Sequence, residues 1–274
     1  MTWLNAAMGA MVGAMLFPFQ SLPPIVGLSV VSLAAAIGML LVFRATSNQD
    51  AIAAVKRKIQ AGIFEIRLFN DDLRAMFRAQ VGILRHNLTY IRLSLAPMLW
   101  VIVPLVLVIA QLQFYYGYDG LGPGQSAVVK VVLKEGASPS VPAIALEAPA
   151  GVRVETPMVW IPSLREAAWR VAADQAGDYQ LSVSLGGRAV TKQFRVSDRV
   201  GWRTPERLES GLVNQLLYPA EAPIDSDVPI EAIYVSYPER AVNLLGWETH
   251  WMIAFFLLSI GFAFALKKRF GVVI

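Results

Sequence analysis

The chain contains no cysteine and only two histidines, His86 and His250. The first absence excludes disulfides, thiolate catalysis and Cys-based zinc or iron–sulfur sites, and it leaves the redox compartment open. Charge is also scarce: 16% of residues are charged and 55% are hydrophobic, too apolar for an ordinary soluble domain and suited to a membrane chain. GxSxG, a Walker loop, GxGxxG with a following acidic residue, and HExxH are all missing. Beyond residue 117 the Asp and Glu residues are scattered in the manner of a solvated surface. Neither an enzyme nor a cofactor is expected, and no ion or proton relay.

The few charges are distributed unevenly. Residues 44–92 hold nine Lys/Arg against four Asp/Glu, residues 117–250 hold twelve against sixteen, and the tail adds Lys267, Lys268 and Arg269. The positive-inside rule places the basic excursion and the basic tail in the cytoplasm and the acidic segment outside. This orientation suits a prokaryotic cytoplasmic membrane, with the N-terminus outside and the C-terminus inside. Specific nucleic acid binding is not expected, because the cations interleave with a helical apolar stripe.

Met1–Phe19 is apolar but has no basic n-region, so it reads as a retained amphipathic helix in the outer interface, stopped by Pro18 and Pro23-Pro24. Ile25–Phe43 carries no charge and is long enough to cross a core of about 30 Å. It is rich in small residues, among them Gly27, Ser29, Ser32 and Gly38, which allow a neighbouring helix to come close. Arg44 closes it and reads first as a snorkelling anchor.

From Ser47 the period is that of a water-exposed helix, with Ser47 or Asn48 as N-cap. Ile52, Ile59, Ile66 and Leu73 are spaced by seven, and Phe77, Leu84 and Ile91 follow a second register joined by Val81 and Leu88. Asn70-Asp71-Asp72 has the chemistry of a helix start between them. A coiled-coil hairpin follows, with Ile52, Ile59, Ile66, Leu73, Phe77 and Leu84 in its seam and Arg57, Arg67, Arg78 and Arg85 exposed. Leu93–Tyr116 is the second uncharged span, interrupted by Pro97 and Pro104 and ended by an aromatic belt of Tyr115, Tyr116 and Tyr118.

At Gly117 the composition becomes that of a β domain. Alternating runs Tyr179–Leu185 and Ala189–Val196 flank Gly186-Gly187-Arg188, a hairpin signal. Asp174–Tyr179 resembles the tyrosine corner of immunoglobulin-like sandwiches. Ser138–Gly151 reads as loops and short extended pieces, and Trp202–Gly246 as an irregular return with a short helix near Glu206–Leu217 and an extended piece near Pro229–Tyr237. Leu244–Leu266 forms a third span, with Trp247 and Trp251 at the outer interface. His250, at the same edge, reads as an ordinary interfacial histidine.

The expected fold is an α-helical membrane protein with an inserted immunoglobulin-like β-sandwich. Its parts are an interfacial helix (1–22), a first span (23–44), a cytoplasmic coiled-coil hairpin (45–92), a second span (93–116), an extracytoplasmic sandwich (117–200), a return segment (201–243), a third span (244–266) and a cytoplasmic tail (267–274).

This order of parts resembles the YidC/Oxa/Alb insertase superfamily, most closely its small three-span branch of archaeal YidC-like proteins and the insertase subunit of the endoplasmic reticulum membrane complex. The likeness is carried by Phe43-Arg-Ala-Thr-Ser-Asn-Gln-Asp50 leading into Val55-Lys-Arg-Lys-Ile59, by Tyr90-Ile-Arg-Leu-Ser-Leu-Ala-Pro-Met98 leading to Pro104, and by Gly246-Trp247 with Trp251. It covers residues 1–116 and 244–274. The resemblance implies a groove, open to lipid and cytoplasm, that accepts a substrate helix. Ser29, Ser32, Trp100, Pro104 and Ser259 would line it, with Arg44 and Arg92 at its cytoplasmic mouth. YidC carries an arginine inside its groove, whereas here the nearest arginines lie at that mouth, and the minimal branch lacks an outer sandwich. The implied partners are the bilayer, nascent or substrate membrane proteins, and a ribosome or membrane complex at the basic hairpin. A second reading stays open, a non-catalytic scaffold subunit whose outer domain binds an extracytoplasmic protein.

Overall fold

The structure, a computed structural model, describes residues 2–69, 71–135 and 143–272, with side chains from residue 7 onward. Asn70 of the expected helix start and the loop residues 138–142 lie outside the described residues. The helices in chain order are α1 (Thr2–Leu16), α2 (Pro24–Thr46), α3 (Gln49–Leu68) and α4 (Leu73–Tyr116). Strands β1 (Ser126–Leu133), β2 (Ile144–Glu147), β3 (Val152–Val154), β4 (Val159–Ile161), β5 (Glu166–Ala173), β6 (Gly177–Leu185), β7 (Arg188–Val196) and β8 (Glu206–Leu208) follow. The chain continues through α5 (Leu212–Leu217), β9 (Ile230–Val235), β10 (Ala241–Leu244), β11 (Trp247–His250) and α6 (Trp251–Leu266). Helices α2 and α4 are long and apolar enough to cross a membrane. Two compact units result: Met1–Leu28 with Leu107–Ala254, and Ser29–Val106 with Phe255–Ile274.

The first unit is built around two antiparallel sheets. One has the order β3-β5-β1-β9-β8 with β4 also on β5, and the other has the order β2-β6-β7. Alternation sets their inner faces: Ala127, Val129, Val131 and Leu133 of β1 and Val190, Phe194 and Val196 of β7 are buried in one shared core. The β6–β7 turn is two residues long, and Gly186 (φ 59°) and Gly187 (φ 79°) supply the positive φ it requires. The tyrosine corner is present as a bond: the Tyr179 hydroxyl donates to the Gln175 carbonyl at 2.9 Å.

Two expected boundaries are corrected in this unit. The return segment is not separate from the sheet domain, because β9 pairs with the central strand β1 and β8 pairs with β9. The extended piece expected near Pro229–Tyr237 is β9, whereas the short helix expected near Glu206–Leu217 is confined to Leu212–Leu217 and its first residues form β8. The expected third span is also shortened. Its first residues form the hairpin β10–β11, in which Leu245 (φ 55°) and Gly246 (φ 92°) make the turn, and Glu248 lies in β11 ahead of the helix. A leucine at positive φ is uncommon, so an apolar run through Leu244-Leu245 reads as span rather than turn. Within the same unit, α1 is apolar on both faces: Val12 and Leu16 are buried, and a Cβ at Gly9 or Gly13 would lie 4.0 or 3.6 Å from the Trp202 ring. Gly27 allows a closer approach, since a Cβ there would sit 2.5 Å from the Tyr116 hydroxyl.

The second unit holds most of α2, α3, most of α4 and the rest of α6. Asn48 caps α3 by accepting from the Ala51 N–H at 3.0 Å, and Asp72 caps α4 by accepting from Arg74 and Ala75 at 2.8 and 3.2 Å. Residues expected as the hairpin's second arm and as the second span form one uninterrupted helix of 44 residues, with Pro97 and Pro104 inside it. Ser94 is the one residue between Tyr90 and Leu95 with capping chemistry, and it lies inside α4, which continues through it.

Candidate functional site

The residues expected to line a groove all belong to the second unit. Ser32 on α2 is completely buried and Ser259 on α6 is 5% exposed, and among the described residues neither hydroxyl has a hydrogen-bond partner. Each could donate to the carbonyl four residues back, as Thr46 does to Val42 at 2.7 Å, yet neither does. A buried hydroxyl without a partner costs roughly 1–3 kcal/mol, so these two atoms are places where water or a polar guest is favoured. Ser29 and Pro104 are half-buried, Trp100 is 66% exposed, and Arg44 and Arg92 are exposed.

In the hairpin, Ile52 and Val55 of α3 are buried and Ile59 and Ile66 half-buried, whereas Leu73, Phe77 and Leu84 of α4 are 80%, 67% and 65% exposed. The expected seam is therefore corrected on its second arm. The α4 face that meets α3 contains Ala79, Ile83 and Tyr90: a Cβ on Gly62 would lie 2.7 Å from Ile83 Cγ1, and the Lys56 ammonium stands 5.6 Å from the centre of the Tyr90 ring. Gly62 and Ala79 let the two backbones come close, and a small-residue contact leaves little apolar signal in the sequence. The heavier stripe of leucine and phenylalanine on α4 faces away from α3. Arg57, Arg67, Arg78 and Arg85 are exposed.

The sheet domain contains buried polar groups that composition does not single out. Lys192, completely buried, donates to Glu221 Oε2 at 2.6 Å and to the Thr204 carbonyl at 2.5 Å, while the Gln193 N–H donates to Glu221 Oε1 at 3.0 Å. Burial holds the Lys192 ammonium below the ordinary lysine range, with Glu221 opposing the shift. The signal was available: in β7 the inward positions read Val190, Lys192, Phe194 and Val196, a cation on a core face that needs a carboxylate. Arg203, 1% exposed, donates to the Ser197 and Arg199 carbonyls at 2.7 and 2.8 Å, and its backbone N–H donates to the Phe114 carbonyl at 2.7 Å. Arg240 pairs with Asp119 at 3.1 Å and donates its backbone N–H to Gly117. These bonds tie the end of α4 to the sheet domain, while Arg203 Nε and Arg240 Nη1 stay buried with no hydrogen-bond partner among the described residues. Tyr237, donating partner to none of the carboxylates but accepting from the Arg195 N–H at 2.9 Å, has its hydroxyl pushed up to about 12 by burial.

Trp251, expected at an interface, is completely buried and donates to Gln113 Oε1 at 3.1 Å. His250 accepts from the Met252 N–H at 3.2 Å through Nδ1, so it caps the start of α6. No protein-family model matches the chain, and no curated protein matches it. What the geometry itself defines is a class: two helices long and apolar enough to cross a membrane, a helical hairpin, and an antiparallel β domain between α4 and α6.

Proposed function

We propose that the protein is a non-enzymatic membrane insertase or chaperone of the YidC-like type, assisting transmembrane segments through a hydrated groove in its second unit. The observation that carries this reading is the pair of buried, unpartnered hydroxyls of Ser32 and Ser259 on two apolar helices. Serine at a helix–helix contact also allows close approach, and in this reading the two unpartnered hydroxyls additionally shelter a polar flank in the groove. The length of α6 supports the same reading. Its 16 residues span about 24 Å, short of a core of about 30 Å, and a short helix thins the bilayer around it. Moving a charged residue to the bilayer centre costs about 2.5–3.5 kcal/mol on insertion scales, and thinning together with trapped water lowers that barrier. In this reading α2, the second half of α4 and α6 are the three spans, the basic hairpin is cytoplasmic and meets nascent chains, ribosomes or anionic lipid, and the outer domain is an immunoglobulin-like sandwich. The membrane would be a prokaryotic cytoplasmic one.

Because the chain has no cysteine, Ser32→Cys and Ser259→Cys are single reporters for water. In native membranes both should react with a membrane-impermeant maleimide, and a trapped substrate helix should protect them. If both stay unreactive while Ser47→Cys is labelled, the interior is dry and the insertase reading fails.

A further inference from the structure

The stripe of α4 that faces away from α3 has a spacing of its own. Phe77, Val81, Leu84, Leu88, Ile91, Leu95, Met98 and Ile102 alternate steps of four and three residues without interruption. All are exposed, from 36% at Val81 to 67% at Phe77. Alternating steps of three and four are the 3.5-residue period of a coiled-coil seam, with Val81, Leu88, Leu95 and Ile102 at a and Phe77, Leu84, Ile91 and Met98 at d. The contacts with α3 use the opposite side: Ala79 is at f, and Ile83 and Tyr90 are at c. Pro97 and Pro104 also fall at c, so neither interrupts the seam. The helix thus carries one apolar face satisfied within the chain and a second, longer one that no described residue covers.

We propose that this second face is a parallel self-association surface, covered by α4 of a second copy of the chain. The inference rests on α4 being the second span. Two observations select this occupant. The seam runs without a break from the exposed hairpin past Arg92 into the apolar half of the helix, so its partner must itself pass from water into the bilayer in the same direction; a second copy in the same membrane does so by necessity. The flanking charges also fit. Arginine occupies the e position three times, at Arg78, Arg85 and Arg92, and the g positions are the neutral Gln80, Asn87 and Ser94. In a parallel pair each g faces the e of the next heptad on the partner, which sets Gln80 against Arg85 and Asn87 against Arg92, a carboxamide oxygen opposite a guanidinium with no cation facing a cation. The driving force resides in the aqueous part, Phe77 to Ile91, because lipid covers Leu95, Met98 and Ile102 about as well as another helix does.

Single cysteines test this in the full chain in its native membrane. Under mild oxidation Leu84→Cys and Leu88→Cys should each form a disulfide-linked species of twice the chain mass, about tenfold more than Thr89→Cys at the exposed b position, as seam geometry requires. Adding Gln80→Glu with Asn87→Glu sets carboxylates opposite Arg85 and Arg92 and should raise the Leu84→Cys yield. Leu84 is an exposed position, so its replacement leaves the fold in place. The proposal is overturned if Leu84→Cys cross-links no better than Thr89→Cys, if it links to a different protein, or if the added carboxylates lower the yield. The maleimide result at Ser32 and Ser259 is read separately, so either proposal can fail alone.

Discussion

The contact between Gly62 and Ile83 allows a test in which one substitution changes sign. Replacing a helix-interior glycine by alanine ordinarily stabilises a helix by about 1 kcal/mol through propensity. At Gly62 the new Cβ would lie 2.7 Å from Ile83 Cγ1 and 3.3 Å from Cδ1, and Cγ1 is held close to the backbone on a β-branched side chain that cannot swing aside. Overpacking of this kind costs about 1–3 kcal/mol, so Gly62→Ala should come out neutral to about 2 kcal/mol destabilising. In an Ile83→Ala background both clashing atoms are gone, and the same Gly62→Ala change should then stabilise by about 1 kcal/mol, as propensity alone dictates. Amide hydrogen exchange of α3 in the full chain reads both, since 1 kcal/mol changes protection about fivefold. If Gly62→Ala raises protection equally in the two backgrounds, the helices do not meet at this point, and the reassigned seam is wrong.

Three further outcomes are expected. A topology reporter after Arg44 should read cytoplasmic and one after Gly124 external, and an external reading near residue 70 would refute the orientation. Glu221→Gln strips the buried Lys192 of its carboxylate and should lower stability by about 3–5 kcal/mol, measured as a loss of thermal midpoint of the sheet domain. Glu221 opposes the downward shift of Lys192, so in the variant the folded-state pKa of Lys192 falls further; the folded variant gives up its proton at a lower pH than the folded wild type, and the deficit should shrink as pH rises between those two folded-state values, whereas a deficit independent of pH would contradict this account. Replacing both Arg44 and Arg92 by Glu should impair insertion of acidic-flanked substrates more than neutral ones in a reconstituted assay. Equal competence with both sets, in correctly oriented protein, would favour the scaffold reading.

Much of this architecture is determined by the chain locally. The uncharged stretches Ile25–Phe43 and Leu93–Tyr116, the Asn48 and Asp72 caps and the Gly186-Gly187 turn each follow from a few adjacent residues, because hydropathy, capping and positive φ are short-range physics. Tertiary structure decided the rest, and in each case a contact distant in sequence was the cause. The extended piece near Pro229–Tyr237 is legible by itself, but its place beside β1, and the pairing of β8 on its other edge, are set by contacts distant in sequence. Leu245 turns because β10 and β11 pair on either side of it. The choice between two apolar faces of α4 was settled by Gly62 and Ala79, whose small size favours close approach and leaves almost no trace in a hydrophobic pattern. Periodicity shows that a helix has an apolar face; which face the chain itself covers depends on the distance at which the backbones can meet.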